Sequence, residues 1–394
     1  MRILVLSERV DAEGGTESYL RALLPALRAR GHDVRVLARN VAQSDAYGVS
    51  ATAVGWSDEH DPPSRAAATA IEGLVGDFAP HVAAIHNVLD AGVLDVVRRN
   101  VARVVYHVHD HRPFCPNGDR VYPQGGGVCA LAMGTTTCGW HALVHGCAYG
   151  PRPRTLDLIH IRQDVARAVA ACDGIVALSH YIAGLTQRNG IASTKTFVLP
   201  PPLEGAAFAS APAPRPGADA VLFAGRVVPS KGARSLVRAL AQIPEPQRPL
   251  LHIAGDGPDL TATVAEARGR RVRVEMLGRL DAGALRTAYD GATLVAMPSL
   301  WGEPFGLVGI EAFARGRPVV AYDAGAIREW LSGTGAGIAV RFGDERALGV
   351  AIGELLARDR WQHAKDRAFA AAQTYRIETH VDRIEAIYRG DSAA

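Results

Sequence analysis

Long apolar runs are missing from this sequence. None approaches the ~20 residues that a helix needs to cross a bilayer, which excludes a helical membrane span. The opening Met1-Arg-Ile-Leu-Val-Leu6 is too short for the apolar core of a secretory leader and runs at once into charge. A cytoplasmic location is expected, with peripheral membrane contact left open. Net charge is nearly missing as well: 43 Lys and Arg against 40 Asp and Glu leave +3, which implies no nucleic acid or other polyanion as partner. The local cluster Arg268-Gly-Arg-Arg-Val-Arg273 reads as solvated or phosphate-facing. No Asp-x-Asp pair occurs, so a common sequence sign of a divalent ion between two carboxylates is absent. No solenoid-type repeat is present, and nothing sets an oligomeric state.

Cysteine is scarce, with five in the chain and no Cys-x-x-Cys knuckle. Four of the five, Cys115, Cys129, Cys138 and Cys147, nevertheless fall within 33 positions. Gly125-Gly-Gly127, His141 and His145 lie among them. Three readings stay open: a structural zinc held by four thiolates, two disulfides, which a cytoplasmic chain disfavours, or four separately packed thiols.

What is present is a globular composition, 48% hydrophobic and 21% charged over 394 residues, enough for two domains of ordinary size. Arg2 to Ser7 reads as a buried parallel strand. The loop Glu8 to Thr16, with Gly14-Gly15, leads into a helix marked by Tyr19, Leu20, Leu23, Leu24 and Leu27. Val34 to Ala38 is the next strand, which completes a βαβ unit. Further strands, His81 to Asn87 and Arg103 to Asp110, carry polar residues at their carboxyl ends, where open α/β sheets bind ligands. His107 and His109 fall on one face by strand alternation; the neighbouring Asp110 favours His109 as the site residue. Leu156 to Ala171 and His180 to Asn189 have helical spacing, and Cys172 to Ser179 and Thr196 to Leu199 read as strands. Pro200-Pro-Pro202 and the Ala/Pro-rich run to Gly217 mark the clearest break in composition.

A second set of alternating elements begins at Ala220. The strand Ala220-Val-Leu-Phe-Ala-Gly-Arg226 runs into a loop with Lys231-Gly232 before a helix. Two cations five apart at a strand-to-helix turn could face a diphosphate, although an isolated pair of this kind is more commonly two solvated charges. Leu250 to Pro258 is a strand entering a Gly loop at Gly255, and Val274 to Arg279 is another. Thr293 to Met297 then leads through Pro298-Ser-Leu-Trp-Gly-Glu-Pro-Phe-Gly306 into a helix that stops at Gly316, with Pro318 beyond. The first amides of such a helix suit a phosphate. Glu303 sits in the loop. Glu311 lies in an otherwise apolar helix and therefore needs partners.

Glu303-Pro-Phe-Gly-x-x-x-x-Glu311 resembles the signature of the retaining GT-B glycosyltransferases of family 4. Gly225-Arg226-x-x-x-x-Lys231-Gly232 is a second hallmark of that family, in the expected order. Gly14-Gly15-x-Glu, Arg30-Gly-His-x-Val34 and the His109-Asp110 pair match it too, so the resemblance covers nearly the whole chain. It implies an α/β protein of GT-B fold, with two Rossmann-like domains whose parallel sheets face an interdomain cleft and a C-terminal helix crossing back to the N-terminal domain. The domains expected are residues 1–200 for the acceptor, with a Cys-rich insert at 112–154; a linker at 201–217; residues 218–373 for the nucleotide sugar; and a crossing helix at 374–394. The resemblance implies catalytic roles for His109, Asp110, Arg226, Lys231 and Glu303. It implies donor contacts from Gly14, Gly15, Gly225, Arg226, Lys231, Gly255, Arg279, Glu303, Phe305, Gly306, Leu307 and Glu311. The expected activity is metal-independent, retaining transfer of a sugar from a nucleotide diphosphate, UDP or GDP foremost, to an acceptor hydroxyl on a glycan, a lipid-linked molecule or a small metabolite. A non-catalytic sugar-nucleotide-binding subunit, or an epimerase or hydrolase on the same fold, are the alternatives. Some relatives resembling this chain carry a cysteine-bearing insert starting Cys-Pro, as Cys115-Pro116 does here, and it is expected to shape the acceptor pocket.

Overall fold

The structure is a computed structural model and describes residues 1–10, 14–41, 45–57, 64–122, 127–147 and 152–391. It divides into two compact units, Met1–Leu203 with Ile377–Ala394, and Glu204–Arg376.

The first unit runs β1 (Arg2–Arg9), α1 (Gly15–Ala29), β2 (Asp33–Asn40), β3 (Asp45–Ala46), β4 (Val49–Ala53), α2 (Arg65–Phe78), β5 (Val82–His86), α3 (Ala91–Asn100), β6 (Val104–Val108), α4 (Thr135–His145), α5 (Arg152–Ala170), β7 (Gly174–Ala177), α6 (His180–Arg188) and β8 (Thr196–Val198). The strands form one sheet in the order β3-β4-β2-β1-β5-β6-β7-β8, parallel except for the β3–β4 hairpin. Helices cover it, so strands such as Ile3-Leu-Val-Leu6 are buried on both faces and carry no polar alternation. α1 buries Tyr19, Leu20, Leu23, Leu24 and Leu27, the stripe its spacing predicts. Between β6 and α5 lies the insert: a 3₁₀ turn at Arg112–Phe114, a bridge between Val121 and Val128, and α4. Gly125, Gly126 and residues 148–151 lie outside the described residues.

The second unit runs β9 (Ala220–Ala224), α7 (Ala233–Leu240), β10 (Leu250–Ala254), α8 (Leu260–Gly269), β11 (Val274–Gly278), α9 (Ala282–Gly291), β12 (Leu294–Met297), α10 (Leu307–Ala314), β13 (Val319–Tyr322), α11 (Ile327–Leu331), β14 (Gly337–Val340), α12 (Glu345–Leu356) and α13 (Arg358–Ala372). Its all-parallel sheet has the order β11-β10-β9-β12-β13-β14. The Ala/Pro-rich run is pinned to this unit, with Ala209 and Ala213 N–H groups donating to the carbonyls of Ala314 and Arg315 at 3.0 and 3.2 Å.

The last helix, α14 (Ile377–Arg389), belongs to the first unit. It buries Val381, Ile384, Ile387 and Tyr388. Polar contacts fix it as well: the His380 ring meets the Pro200 carbonyl at 3.0 Å and the Tyr19 hydroxyl at 2.8 Å, and Arg103 donates to the Ile387 carbonyl.

Candidate functional site

In the second unit the carboxyl ends of β9, β10 and β12 carry the candidate residues. Lys231 ends a 3₁₀ turn after β9, and Gly232 follows with φ of +74°, where a Cβ would lie 1.9 Å from the Pro298 carbonyl oxygen. Only glycine allows that approach, and it lays the Lys231 turn against the loop after β12. There the Lys231 ammonium meets the Glu303 carboxylate at 2.7 Å. The same Oε1 accepts from Ser299 Oγ at 2.6 Å and from the Trp301 indole N–H at 2.8 Å, while Lys231 Nζ stands 4.7 Å over the Trp301 ring. Glu303 is 4% exposed. Burial alone would raise its pKa, but the Lys231 charge and the three hydrogen bonds outweigh it and hold the carboxyl below its ordinary value. Glu303 is therefore an ionised acid in a preset position. Its backbone is fixed too: it bridges to Gly325, and its carbonyl accepts from the Ala326 amide at 2.9 Å.

The other candidates of this unit distribute around that pair. Arg226 and Arg279 are exposed. Gly255 has φ of +151°, and a Cβ there would meet the Gly225 carbonyl oxygen at 1.9 Å, so the loops after β9 and β10 touch through two glycines. Gly306 precedes Leu307, the first residue of α10. Phe305 is buried against Tyr375, and its carbonyl accepts from the Trp330 indole N–H at 2.6 Å. The partner that Glu311 requires is Tyr289, whose hydroxyl donates to it at 2.8 Å.

In the first unit β5, β6 and the start of α1 converge. Asp110 accepts from the Arg112 amide at 2.9 Å and its guanidinium at 2.8 Å, and from Asn87 Nδ2 at 3.1 Å. Asn87 also reaches Thr16 Oγ1 at 3.0 Å from a left-handed backbone with φ of +54°. Burial would raise the pKa of Asp110, but the Arg112 charge and hydrogen bonds bring it below its ordinary value. His109 lies against His86, with Nε2 2.9 Å from its Nδ1. Burial, opposed by Asp110 and aided by Arg112, takes its pKa down to about 4, so it is a neutral ring near pH 7. His107 points into the same cluster but contacts Tyr388 of α14 at 3.1 Å. Gly14 caps α1 in extended backbone and Gly15 opens it. A Cβ on Gly14 would meet the Glu17 carboxylate at 2.4 Å, so an acid side chain lies over this helix start.

Two sets of residues could hold a metal. His86, His107 and His109 place ligand atoms within 4.8 Å of one another, and among the described residues no other group of three or more does. Their geometry argues against coordination. The rings are near parallel, at 21° and 4.1 Å between centroids for His86 and His107, so their in-plane lone pairs run side by side instead of meeting. The four clustered cysteines form no disulfide, and among the described residues no three of their sulfurs lie within that spacing.

Sequence reasoning missed Ser299, Tyr289, Asn87 and Arg112 as supporting residues. The signal for the last two was their place just past the ends of β5 and β6. Ser299 and Tyr289 gave none.

Two family profiles divide the chain between them. Residues 13–204 match Glycosyltransferase Family 4, and residues 209–374 match Glycosyl transferases group 1. A D-inositol 3-phosphate glycosyltransferase of Kineococcus radiotolerans is 30% identical over 358 residues, covering 82% of this chain and 76% of that protein. An uncharacterised glycosyltransferase of Methanocaldococcus jannaschii is 38% identical over 111 residues, but that match spans only 28% of either chain. In fold the chain resembles a sucrose-phosphate synthase of Thermosynechococcus elongatus, with a TM-score of 0.74 at 19% identity over 99% of this chain and 98% of that one. It also resembles the Anabaena protein HepE, solved in complex with UDP-glucose, with a TM-score of 0.73 at 17% identity over 99% and 100%. Two Rossmann-like domains of this kind define the GT-B architecture. The chain belongs to the glycosyltransferases of family 4.

Proposed function

We propose that this chain transfers a sugar from a nucleotide diphosphate to an acceptor hydroxyl with retention at the anomeric carbon, without a catalytic metal. The observation that carries the reading is the buried, ionised Glu303 held on Lys231 at 2.7 Å. Lys231 has three N–H donors and gives one to Glu303, which leaves donors for a phosphate. With the exposed Arg226 and the amides around Phe305, Gly306 and Leu307, it stabilises the charge that gathers on the leaving diphosphate. Glu303 holds donor-sugar hydroxyls and Glu311 the ribose. Gly225 and Gly255 let backbone close on the nucleotide, and Arg279 meets the base. In the first unit, whose residues 1–200 are expected to take the acceptor, the neutral His109 is assigned to the sugar ring and Asp110 fixes the strand end around it. Gly14 and Gly15 give the ligand access to the start of α1.

In the transfer step the bond from the anomeric carbon to the phosphate oxygen breaks and a bond to the acceptor oxygen forms on the same face. The acceptor's proton goes to the phosphate oxygen. Likeness to a protein solved with UDP-glucose supports a UDP-sugar donor. The relative named for D-inositol 3-phosphate supports a small polyol as the acceptor to try first. Incubation with UDP-glucose and inositol phosphate, read by proton NMR, tests this. Expected is a product with the donor's anomeric configuration, formed equally with and without EDTA. An inverted product, or loss of turnover with EDTA, overturns the reading.

A further inference from the structure

The insert between β6 and α5 enters the hydrophobic core only at its start, through Phe114. α4 buries no side chain. Leu131, Trp140, Leu143, Val144 and Leu156, in or beside it, are five of the seven large apolar residues standing exposed among those described, Trp140 at 64%.

What converges inside the insert is polar. The chain turns sharply after Cys115: the Gly118 amide donates to the Cys115 carbonyl at 3.1 Å, and Gly118 and Arg120 adopt φ of +79° and +50°. This turn aims the amides of Arg120, Asn117 and Gly118 at the Cys115 sulfur. Cys129 is laid alongside, its N–H donating to the Arg120 carbonyl at 2.7 Å. The buried Arg120 guanidinium ties the segment together through the carbonyls of Phe114, Cys129 and Leu131 at 3.3, 2.7 and 2.7 Å. From the other side, Cys138, His141 and His145 share one face of α4 by their spacing of three and seven. The rings of His141 and His145 lie 5.4 and 5.1 Å from Tyr122. Cys147 directly follows the Gly146 cap of α4. The Nδ1 of His141 is buried with no partner. The electrostatic neighbours of the Cys147 thiol are Cys129, Cys115 and Cys138.

We propose that Cys115, Cys129, Cys138 and Cys147 bind one zinc ion, which staples the insert. A divalent ion stabilises thiolates over thiols. Four thiols and Zn²⁺ give a tetrathiolate complex and four released protons. Its two net negative charges face the Arg120 guanidinium, and the His141 Nδ1–H gains a sulfur acceptor, the kind of outer contact that metal sites use. Tetrahedral zinc at ~2.3 Å from each sulfur needs the sulfurs about 3.8 Å apart. The amide nest around Cys115 is already formed; no three of the four sulfurs lie within 4.8 Å of one another as they stand, so zinc binding requires the other three side chains to turn inward.

The test is the zinc content of the purified full chain by plasma mass spectrometry, with thiol titration alongside. We expect one zinc per chain, released into a chromogenic chelator by an organomercurial in step with four thiols. Cobalt(II) in its place should give sulfur-to-cobalt charge transfer and the strong visible bands of a tetrahedral ion. Cys129→Ala and Cys138→Ala should lose the metal, while Cys172→Ala, at a buried thiol beside the Ala168 carbonyl, should retain it. The unaltered chain decides the matter even if these variants fail to fold. Four freely titrating thiols with little zinc after zinc-supplemented expression overturn the proposal, as do two disulfides in non-reducing mass spectrometry or an iron–sulfur chromophore. None of these results touches the transfer reading, in which no step passes through the insert.

Discussion

Lys231 and Arg226 come from one motif, yet the structure gives them different settings. The side chains of Lys231 and its partner Glu303 are 24% and 6% exposed, so the pair is largely out of water. Lys231→Ala should abolish transfer and also cost about 3 kcal/mol of stability, because it leaves a buried carboxylate with two neutral donors. The sequence alone predicts little loss of stability; the buried partner changes that expectation. Adding Glu303→Gln to the same chain should restore most of the stability and none of the activity. Urea unfolding and initial rates check both. The Glu303 pKa is depressed in the folded state, so its stabilisation is present above the unfolded value of ~4.3 and lost as pH falls through the folded one. Arg226→Ala, at an exposed position, should lower turnover while moving stability by less than about 0.5 kcal/mol. A comparable stability loss in both single variants would sink the distinction.

At the scale of elements, α14 is fixed to the first unit by side chains distant in sequence. His107 lies between the hydroxyls of Tyr19 and Tyr388, at 3.4 and 3.1 Å, and His380 meets Tyr19 at 2.8 Å. Burial lowers the pKa of His86, His107, His109 and His380, the third to about 4 and the last to about 3. These rings are neutral in the folded state but protonate in the unfolded chain below ~6.5. Unfolding thus takes up protons, and stability falls as pH drops from ~6.5 toward 4, by up to about 1.4 kcal/mol per pH unit for each ring. Denaturant titrations at neutral and mildly acidic pH measure the slope, and His380→Gln should flatten it. Tyr388→Phe should cost about 1–2 kcal/mol, since it removes a partner of the buried His107.

The elements also differ in how plainly the sequence announces them. α1 and α14 have apolar stripes at helical spacing and are readable at sight. α4 is not: Thr135-Thr-Thr-Cys-Gly139 is poor in helix formers, and the helix buries nothing that would leave a stripe. The hairpin β3–β4 is too short to register as alternation.

At the scale of the molecule, two units of different content share one chain, and a donor that binds only the folded state should raise its melting temperature. Among UDP-, GDP-, ADP- and dTDP-sugars, a UDP-sugar at a hundred times its dissociation constant should add about 2.7 kcal/mol, and thermal-shift assays measure it. A response to the GDP-sugar with none to the UDP-sugar would reverse the donor assignment. The sequence by itself determined the alternation of strands and helices, and the loops that carry Lys231, Glu303 and His109, because periodicity, glycine positions and motif spacing are local properties of the chain. Only the tertiary structure decided that Glu303 is ionised, that His109 is neutral, that His107 serves α14, and that Glu311 is met by Tyr289. Each of those states depends on burial and on partners brought from far along the chain, and no local pattern encodes them.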